Sequence, residues 1–291
     1  EASRGEGGIL VNNVGERYLK DYDLGDPVDV SHPDHPRKRT MELGPRDKLS
    51  QCFIREQQAG RTFEGEYGHY VHLDLTHLGE KLIDKKLPFV RELSRNYIGI
   101  DPVTDPIPVR PVLHYVMGGI HTNNDTATPL AGLYAVGECA CVSINGANRL
   151  GSNSLTELLV FGARAGKAAA EYIADCGEPN RPALEAQVAD ETERIARQFI
   201  RKTDGTERIA VLRGEMTQAM EEGIGVFRDE ATMRTTCEKL AELRERFANV
   251  SLDDHTLSFN TELTAALELE NMLEIAQVVA HSALERRESR G

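Results

Sequence analysis

Long apolar runs are missing from this 291-residue sequence, and no stretch of about 18 residues is apolar enough to span a bilayer. Basic residues are also in deficit. Lys and Arg total 34 against 47 Asp and Glu, a formal net charge of −13. A nucleic-acid binder of this size needs a basic face, and the balance argues against one. It leaves room for an anionic small substrate, because a pocket can be locally basic on an acidic chain. Cysteine is scarce: Cys52, Cys139, Cys141, Cys176 and Cys237 are odd in number and scattered. That pattern reads as reduced thiols in a cytosolic setting, not a disulfide framework. Cys139 and Cys141 form a C-x-C pair, but no second pair completes a zinc or iron–sulfur site, so two small buried residues are expected. The opening Glu1-Ala-Ser-Arg4 has neither a basic n-region nor an apolar h-region, so no signal peptide is visible. There is no G-x-G-x-x-G after a strand, no Walker A loop, no H-E-x-x-H and no G-x-S-x-G. Gly223-Ile-Gly225 starts like a dinucleotide loop but lacks the third glycine and the preceding strand.

What is present falls into three regions. Residues 1–110 are rich in Gly, Pro, His and charge, with one alternating strand, Tyr70-Val-His-Leu-Asp-Leu75. Val71, Leu73 and Leu75 take one face; Tyr70, His72 and Asp74 take the other. His69, His72 and His77 crowd this segment, but residues 69 and 72 face opposite ways on a strand, so solvated histidines are expected and not a metal site. Ser31-His-Pro-Asp-His-Pro36 breaks regular structure. Residues 111–178 are Gly-rich. Gly132-Leu-Tyr-Ala-Val-Gly137 has a buried-strand pattern, and a helix is expected from about Ser154 to Ala174, with Gly162, Ala163 and Gly166 permitting close packing. Gly177 and Pro179 stop it. Residues 179–291 are helical. Cys237, Leu240, Leu243 and Phe247 form one amphipathic stripe, and Leu263, Leu267, Leu273 and Val278 a second. Polar breaks at 203–205, 223–225 and 251–256 fit a helical bundle.

Four clusters carry chemistry. Ile144-Asn-Gly-Ala-Asn-Arg-Leu-Gly-Ser-Asn-Ser-Leu155 runs from a small-residue loop straight into a helix. Small residues let a ligand approach the backbone. A helix N-terminus offers free N–H groups to an anion or an electron-rich heteroatom. Arg149 adds a planar fork for a carboxylate. The plainer alternative is an N-capped turn, with Ser152 or Ser154 as the cap. In the second cluster, Val109-Arg-Pro-Val-Leu-His-Tyr-Val-Met-Gly-Gly-Ile120, His114 precedes a double glycine that could bring backbone against a flat ligand. In the third, Glu42-Leu-Gly-Pro-Arg-Asp47, a Gly-Pro turn sets Arg46 at a helix start. The fourth is the loop Glu1-Ala-Ser-Arg-Gly-Glu-Gly-Gly8. Taken singly, His114 would read as structural and Arg46 as a surface charge.

Together these clusters resemble the succinate dehydrogenase/fumarate reductase flavoprotein family, on the fumarate reductase side. The resemblance rests on Arg4-Gly-Glu-Gly-Gly8, Glu42 to Asp47, Arg110-Pro and His114 to Gly119, Gly137-Glu138, Gly146 to Ser154, and the closing Glu288-Ser-Arg-Gly291. They stand in family order along the whole chain. The resemblance implies an α+β fold: a capping domain over 1–110, the returning part of an α/β flavin-binding domain over 111–178, and a truncated helical domain over 179–291. It implies flavin adenine dinucleotide (FAD), with hydride passing between the flavin ring and one olefinic carbon of fumarate or succinate. Arg46 matches the proton-delivering arginine, Glu1 and Arg4 match the relay that resupplies it, and His114 and Arg149 match the groups holding the substrate carboxylates. His114, Tyr115, Glu138, Arg149, Leu150, Gly151, Ser152, Asn153, Ser154 and Leu155 match the flavin-contacting set. Asn145 stands where the family usually has His and cannot carry charge.

The Gly-rich dinucleotide loop and the covalent flavin-attachment histidine would lie upstream of Glu1, and the family continues beyond Gly291. The chain thus reads as an internal fragment, expected to be inactive and to bind flavin weakly alone. The implied partners are an iron–sulfur subunit, membrane anchor subunits and a dicarboxylate. The implied place is the cytoplasmic face of the plasma membrane, held there through partners, in anaerobic respiration. The alternatives are a succinate dehydrogenase flavoprotein and, further off, L-aspartate oxidase, where Met-Ala would be expected in place of Leu150-Gly151. Direction is not legible in these residues, because one site catalyses both ways.

Overall fold

A computed structural model describes residues 2–24, 41–66 and 68–289. Glu1, the 31–36 run and the last two residues of the closing motif lie outside the described residues. The chain divides into two compact units, Glu1–Leu113 and His114–Gly291.

The first unit contains, in chain order, α1 (Ala2–Gly5), β1 (Ile9–Val11), α2 (Arg46–Gln58), β2 (Phe63–Gly65), β3 (Gly68–Asp74), α3 (Glu80–Lys86), α4 (Pro88–Ile98) and β4 (Ile107–Val109). The sheet is built around β3. β1 pairs antiparallel with its far end (Leu10 opposite Leu73) and β2 with its near end (Phe63 opposite Tyr70). β4 pairs antiparallel with it through Val71 opposite Val109. The expected alternation holds: Val71, Leu73 and Leu75 are buried with Leu49, Cys52 and Phe53 of α2. Each such side chain contributes about 1.5–3 kcal/mol on burial. His77 is exposed, as expected, while His69 and His72 are half-buried. His72 stacks on Phe63 with ring centroids 4.2 Å apart, and His69 Nδ1 lies 2.9 Å from Thr62 Oγ1. His77 Nε2 lies 2.9 Å from the Gly7 carbonyl.

The second unit opens with two short parallel strands, β5 (Ile120–His121) and β6 (Ala140–Cys141). The long helix α5 (Asn153–Asp175) follows, then α6 (Arg181–Ile195) running into a π-helical turn Ala196–Ile200, α7 (Ile209–Gly223), α8 (Glu230–Phe247) and α9 (Thr261–Glu285). Asn180, Asp229 and Asn260 cap α6, α8 and α9 by accepting from the N–H of Ala183, Thr232 and Leu263. Three expectations are corrected here. The 132–137 run is not a full strand. It forms one isolated bridge, Tyr134 with Ala127, because glycines with φ +81° and +76° turn the chain at both ends. The small residues of α5 meet no close neighbour among the described residues, since a Cβ at Gly162 or Gly166 would find open space. The buried stripe of α9 is Ala266, Leu269, Leu273, Ala276 and Ala280, while Val278 is 65% exposed. The 3–4 period is carried by alanines, which let α9 sit close against Leu240, Leu243 and Phe247 of α8. The whole is a mixed α+β architecture with a strand-and-helix region followed by a helical bundle.

Candidate active site

In the first unit, the Glu42–Arg46 segment is fixed from inside. A turn closes with Gly44 N–H donating to the Met41 carbonyl at 2.9 Å, and Pro45 sits at the N-cap of α2. Arg46 therefore opens the helix, as its Gly-Pro context predicts. Glu42 is fully buried, and Arg17 grips it with a fork, Nε to Oε1 and Nη2 to Oε2, each at 2.7 Å. Arg4 Nη1 donates to the Glu42 backbone carbonyl at 2.8 Å. Two arginines far apart in sequence, Arg4 and Arg46, are thus tied to one five-residue segment. The turn carrying Arg4 needs a glycine after it, because a Cβ on Gly8 would come within 2.6 Å of Leu75 Cδ2 and 2.9 Å of the Ser3 carbonyl.

In the second unit, Arg149 lies flat over Tyr115, its Cζ 4.3 Å from the ring centroid. The Tyr115 hydroxyl donates to Glu157 Oε2 at 3.1 Å, and Asn145 Nδ2 donates to the same oxygen at 2.8 Å. Glu157 is 3% exposed, so these bonds compensate a carboxylate taken out of water. Burial first, then the hydrogen bond to Glu157, raises the Tyr115 hydroxyl above its ordinary pKa. Next to Tyr115, the Val116 N–H donates to Glu138 Oε1 at 3.0 Å.

The loop into α5 holds Ser143, Gly146 and Ser152 at positive φ, +67°, +57° and +64°. Such backbone strain in serine residues marks a constrained loop. Ser152 occupies the N-cap of α5 but makes no side-chain capping bond, so neither expected serine cap forms by side chain. At the start of α5 the Asn153 N–H donates to the Leu150 carbonyl at 3.2 Å and the Leu155 N–H to the Ser152 carbonyl at 3.1 Å, which leaves the Ser154 N–H for another acceptor. Leu150, Gly151, Ser152, Asn153 and Leu155 are exposed around them and Ser154 is half-buried. His114 is exposed beside Tyr115. Two buried atoms of the cluster, Arg149 Nε and Asn145 Oδ1, have no hydrogen-bond partner.

Each unit therefore gathers its own set: Arg4 with the Arg46 segment in the first, Tyr115, Glu138 and Arg149 in the second. Glu1 lies outside the described residues. The second set suits FAD. A cation with an unsatisfied buried nitrogen, an uncapped helix start and a small-residue loop together offer donors and close access to a flat, electron-rich group. The double glycine is only partly for that purpose. A Cβ at Gly119 would stand 2.4 Å from the Cys139 carbonyl, so this residue serves β5–β6 packing, whereas Gly118 faces open space. Among the described residues no group of three or more His, Cys, Asp or Glu could hold a metal ion. Arg17 and Glu157 escape a sequence reading. Arg17 lies 25 residues from Glu42 with no motif between them. Ser154-x-x-Glu157 has the spacing of a capping box, which disguises a buried hydrogen-bond acceptor as a cap.

Comparison with known proteins bears on both sets. A family model described as "FAD binding domain" matches residues 1–155, and one described as "Fumarate reductase flavoprotein C-term" matches 213–291. The chain is 55% identical, over its whole length, to a fumarate reductase flavoprotein subunit of Mycobacterium tuberculosis, of which it covers 50%. It is 38% identical, again over its whole length, to a succinate dehydrogenase flavoprotein subunit of Coxiella burnetii, covering 48%. A solved quinol-fumarate reductase with menaquinol molecules superposes with a TM-score of 0.91 at 50% identity, over all of this chain and 50% of that one. The chain spans about half the length of the curated relatives it matches.

Proposed function

Because this chain belongs to the fumarate reductase/succinate dehydrogenase flavoprotein family, we propose that it supplies substrate-holding and proton-delivering groups for FAD-dependent reduction of fumarate to succinate. The observation that carries the reading is the Arg149 cluster: a guanidinium stacked on Tyr115, one nitrogen buried and unsatisfied, beside the uncapped start of α5. FAD, when bound and reduced, would supply the hydride. The residues of the chain do the rest. Arg149 and His114 hold the carboxylates of a dianion, and fixed cations there stabilise the enolate-like charge that grows as hydride arrives. Arg46 delivers the proton to the other olefinic carbon and Arg4 returns one to Arg46. An arginine, with a pKa above about 12, is a poor acid in water. The transfer therefore works only against a developing carbanion. Tyr115, Glu138 and residues 150–155 line the flavin side.

The greater identity to the fumarate reductase subunit than to the succinate dehydrogenase subunit favours fumarate as the substrate reduced in the cell. Electrons then come from quinol through an iron–sulfur subunit and membrane anchors. Among the described residues no helix is long and apolar enough to cross a membrane, which suits attachment at the cytoplasmic membrane face through those partners. The test is Arg46→Gln in an enzyme assembled with this chain and driven by a reduced viologen. Turnover is expected to vanish with flavin content retained. Unchanged turnover would remove Arg46 from its role.

A further inference from the structure

Glu157 is a buried carboxylate that the function above does not use. Its two hydrogen bonds land on one oxygen, donated by the Tyr115 hydroxyl at 3.1 Å and by Asn145 Nδ2 at 2.8 Å. The Tyr115 hydroxyl is thereby pinned to α5, and the tilt of its ring is set. Arg149 rests on that ring at 4.3 Å, while its Nη1 is tethered to the neighbouring Leu150 carbonyl at 2.9 Å. A guanidinium plane held by a ring below and a carbonyl at one end has little freedom left. Its Nε is buried with no partner.

We infer that Glu157 is the positioning residue for Arg149, acting through Tyr115: helix α5 sets the angle at which the guanidinium meets its carboxylate ligand. The inference rests on the proposed role of Arg149 in holding substrate. Its physical basis is that a bidentate Arg–carboxylate contact depends on the guanidinium plane, so a tilt costs binding without removing any charge. Asn145 fills the remaining side of the same oxygen and keeps Glu157 from turning. Helix α5 thus serves the site twice, with its uncapped first turn and with a side chain one turn further along.

The test is steady-state kinetics of fumarate reduction in the assembled enzyme, with Glu157→Ala, Tyr115→Phe, Glu157→Gln and Arg149→Lys, alone and combined. Tyr115→Phe keeps the ring and removes only the anchoring hydroxyl, so it decides the matter if Glu157→Ala does not fold. Glu157→Ala and Tyr115→Phe are each expected to raise KM for fumarate about tenfold, with a smaller loss in kcat. Glu157→Gln should recover most of that loss, since a single amide oxygen can accept both bonds. In the Arg149→Lys background neither change should add further loss, because groups acting through one another are non-additive. Additive losses in that background, or a KM for Tyr115→Phe equal to that of the parent, would overturn the inference while leaving the role of Arg149 standing. An unchanged KM in Arg149→Lys alone would instead sink the carboxylate-holding role itself.

Discussion

Arg17 and Glu42 meet through two parallel hydrogen bonds of 2.7 Å inside the first unit, their side chains 8% and 0% exposed. Glu42 begins the segment that carries Arg46, so the pair anchors that segment. Removing one partner leaves the other charge in the interior without its counter-ion, which costs about 3–5 kcal/mol. Glu42→Ala is expected to lower the urea unfolding midpoint accordingly. Replacing both residues together by apolar ones of similar volume should restore much of it. A midpoint unmoved by Glu42→Ala would show that the pair holds nothing in place.

Acid should weaken both units through carboxylates whose pKa falls on folding. Glu215, bonded to Arg246 and then Lys239, is held down to about 2. For Glu56, burial pushes upward, but hydrogen bonds from Arg61, Tyr22 and Asn12 outweigh it and leave the carboxyl below its usual value. A depressed folded-state pKa contributes stability that is complete above the unfolded carboxylate value of about 4.3 and drains away as pH falls below it. Urea midpoints should therefore drop from pH 5 toward about pH 2, the range between the unfolded carboxylate value and the folded value of Glu215. In Glu215→Gln the slope over that range should flatten. An identical slope would exclude Glu215 as a source of it.

The adjacent glycines at 118 and 119 should respond differently to alanine. Both have positive φ, +102° and +123°, so each substitution carries strain of about 1–3 kcal/mol. At 119 the new methyl also meets the Cys139 carbonyl, a backbone atom that cannot swing aside. Gly119→Ala should be the more destabilising in thermal denaturation. Equal losses would mean that β5 and β6 separate freely.

Asn145→Asp would set a second carboxylate 2.8 Å from Glu157. Two like charges at that distance do not both ionise, so one pKa is raised on folding. The penalty should be small near pH 5 and grow as pH rises toward 8, a trend that Tm measured across that range would reveal. A constant Tm difference across that range would rule out charge as its cause.

Much of the scaffold was readable from periodicity. Val71, Leu73 and Leu75 point inward from β3, and Cys237, Leu240, Leu243 and Phe247 form the buried face of α8. A local rule also sufficed for Arg46, since a Gly-Pro turn leaves little choice but to start a helix there. Local rules fail where a long-range neighbour decides. The α9 stripe followed bulk, picking Val278 over Ala276 and Ala280, because contact distance between helices leaves no trace in a single helix. The 132–137 run has strand composition, but its bounding glycines turn it back onto 126–128. Within the site, Arg149 and His114 stood out by residue type and motif. The groups that hold them, or hold their neighbours, did not: Glu157 resembles a cap, and Arg17 resembles an ordinary surface charge.

The arrangement around β3 has a kinetic corollary. Its three partner strands come from residues 9–11, 63–65 and 107–109, so two of its three pairings close loops of more than thirty residues. Neighbouring helices α7, α8 and α9, by contrast, are joined by connections of 6 and 13 residues. Chains with distant pairings order more slowly than those with near ones. In refolding followed by pulsed hydrogen exchange, amides of the bundle should gain protection before those of β3, and the opposite order would refute this.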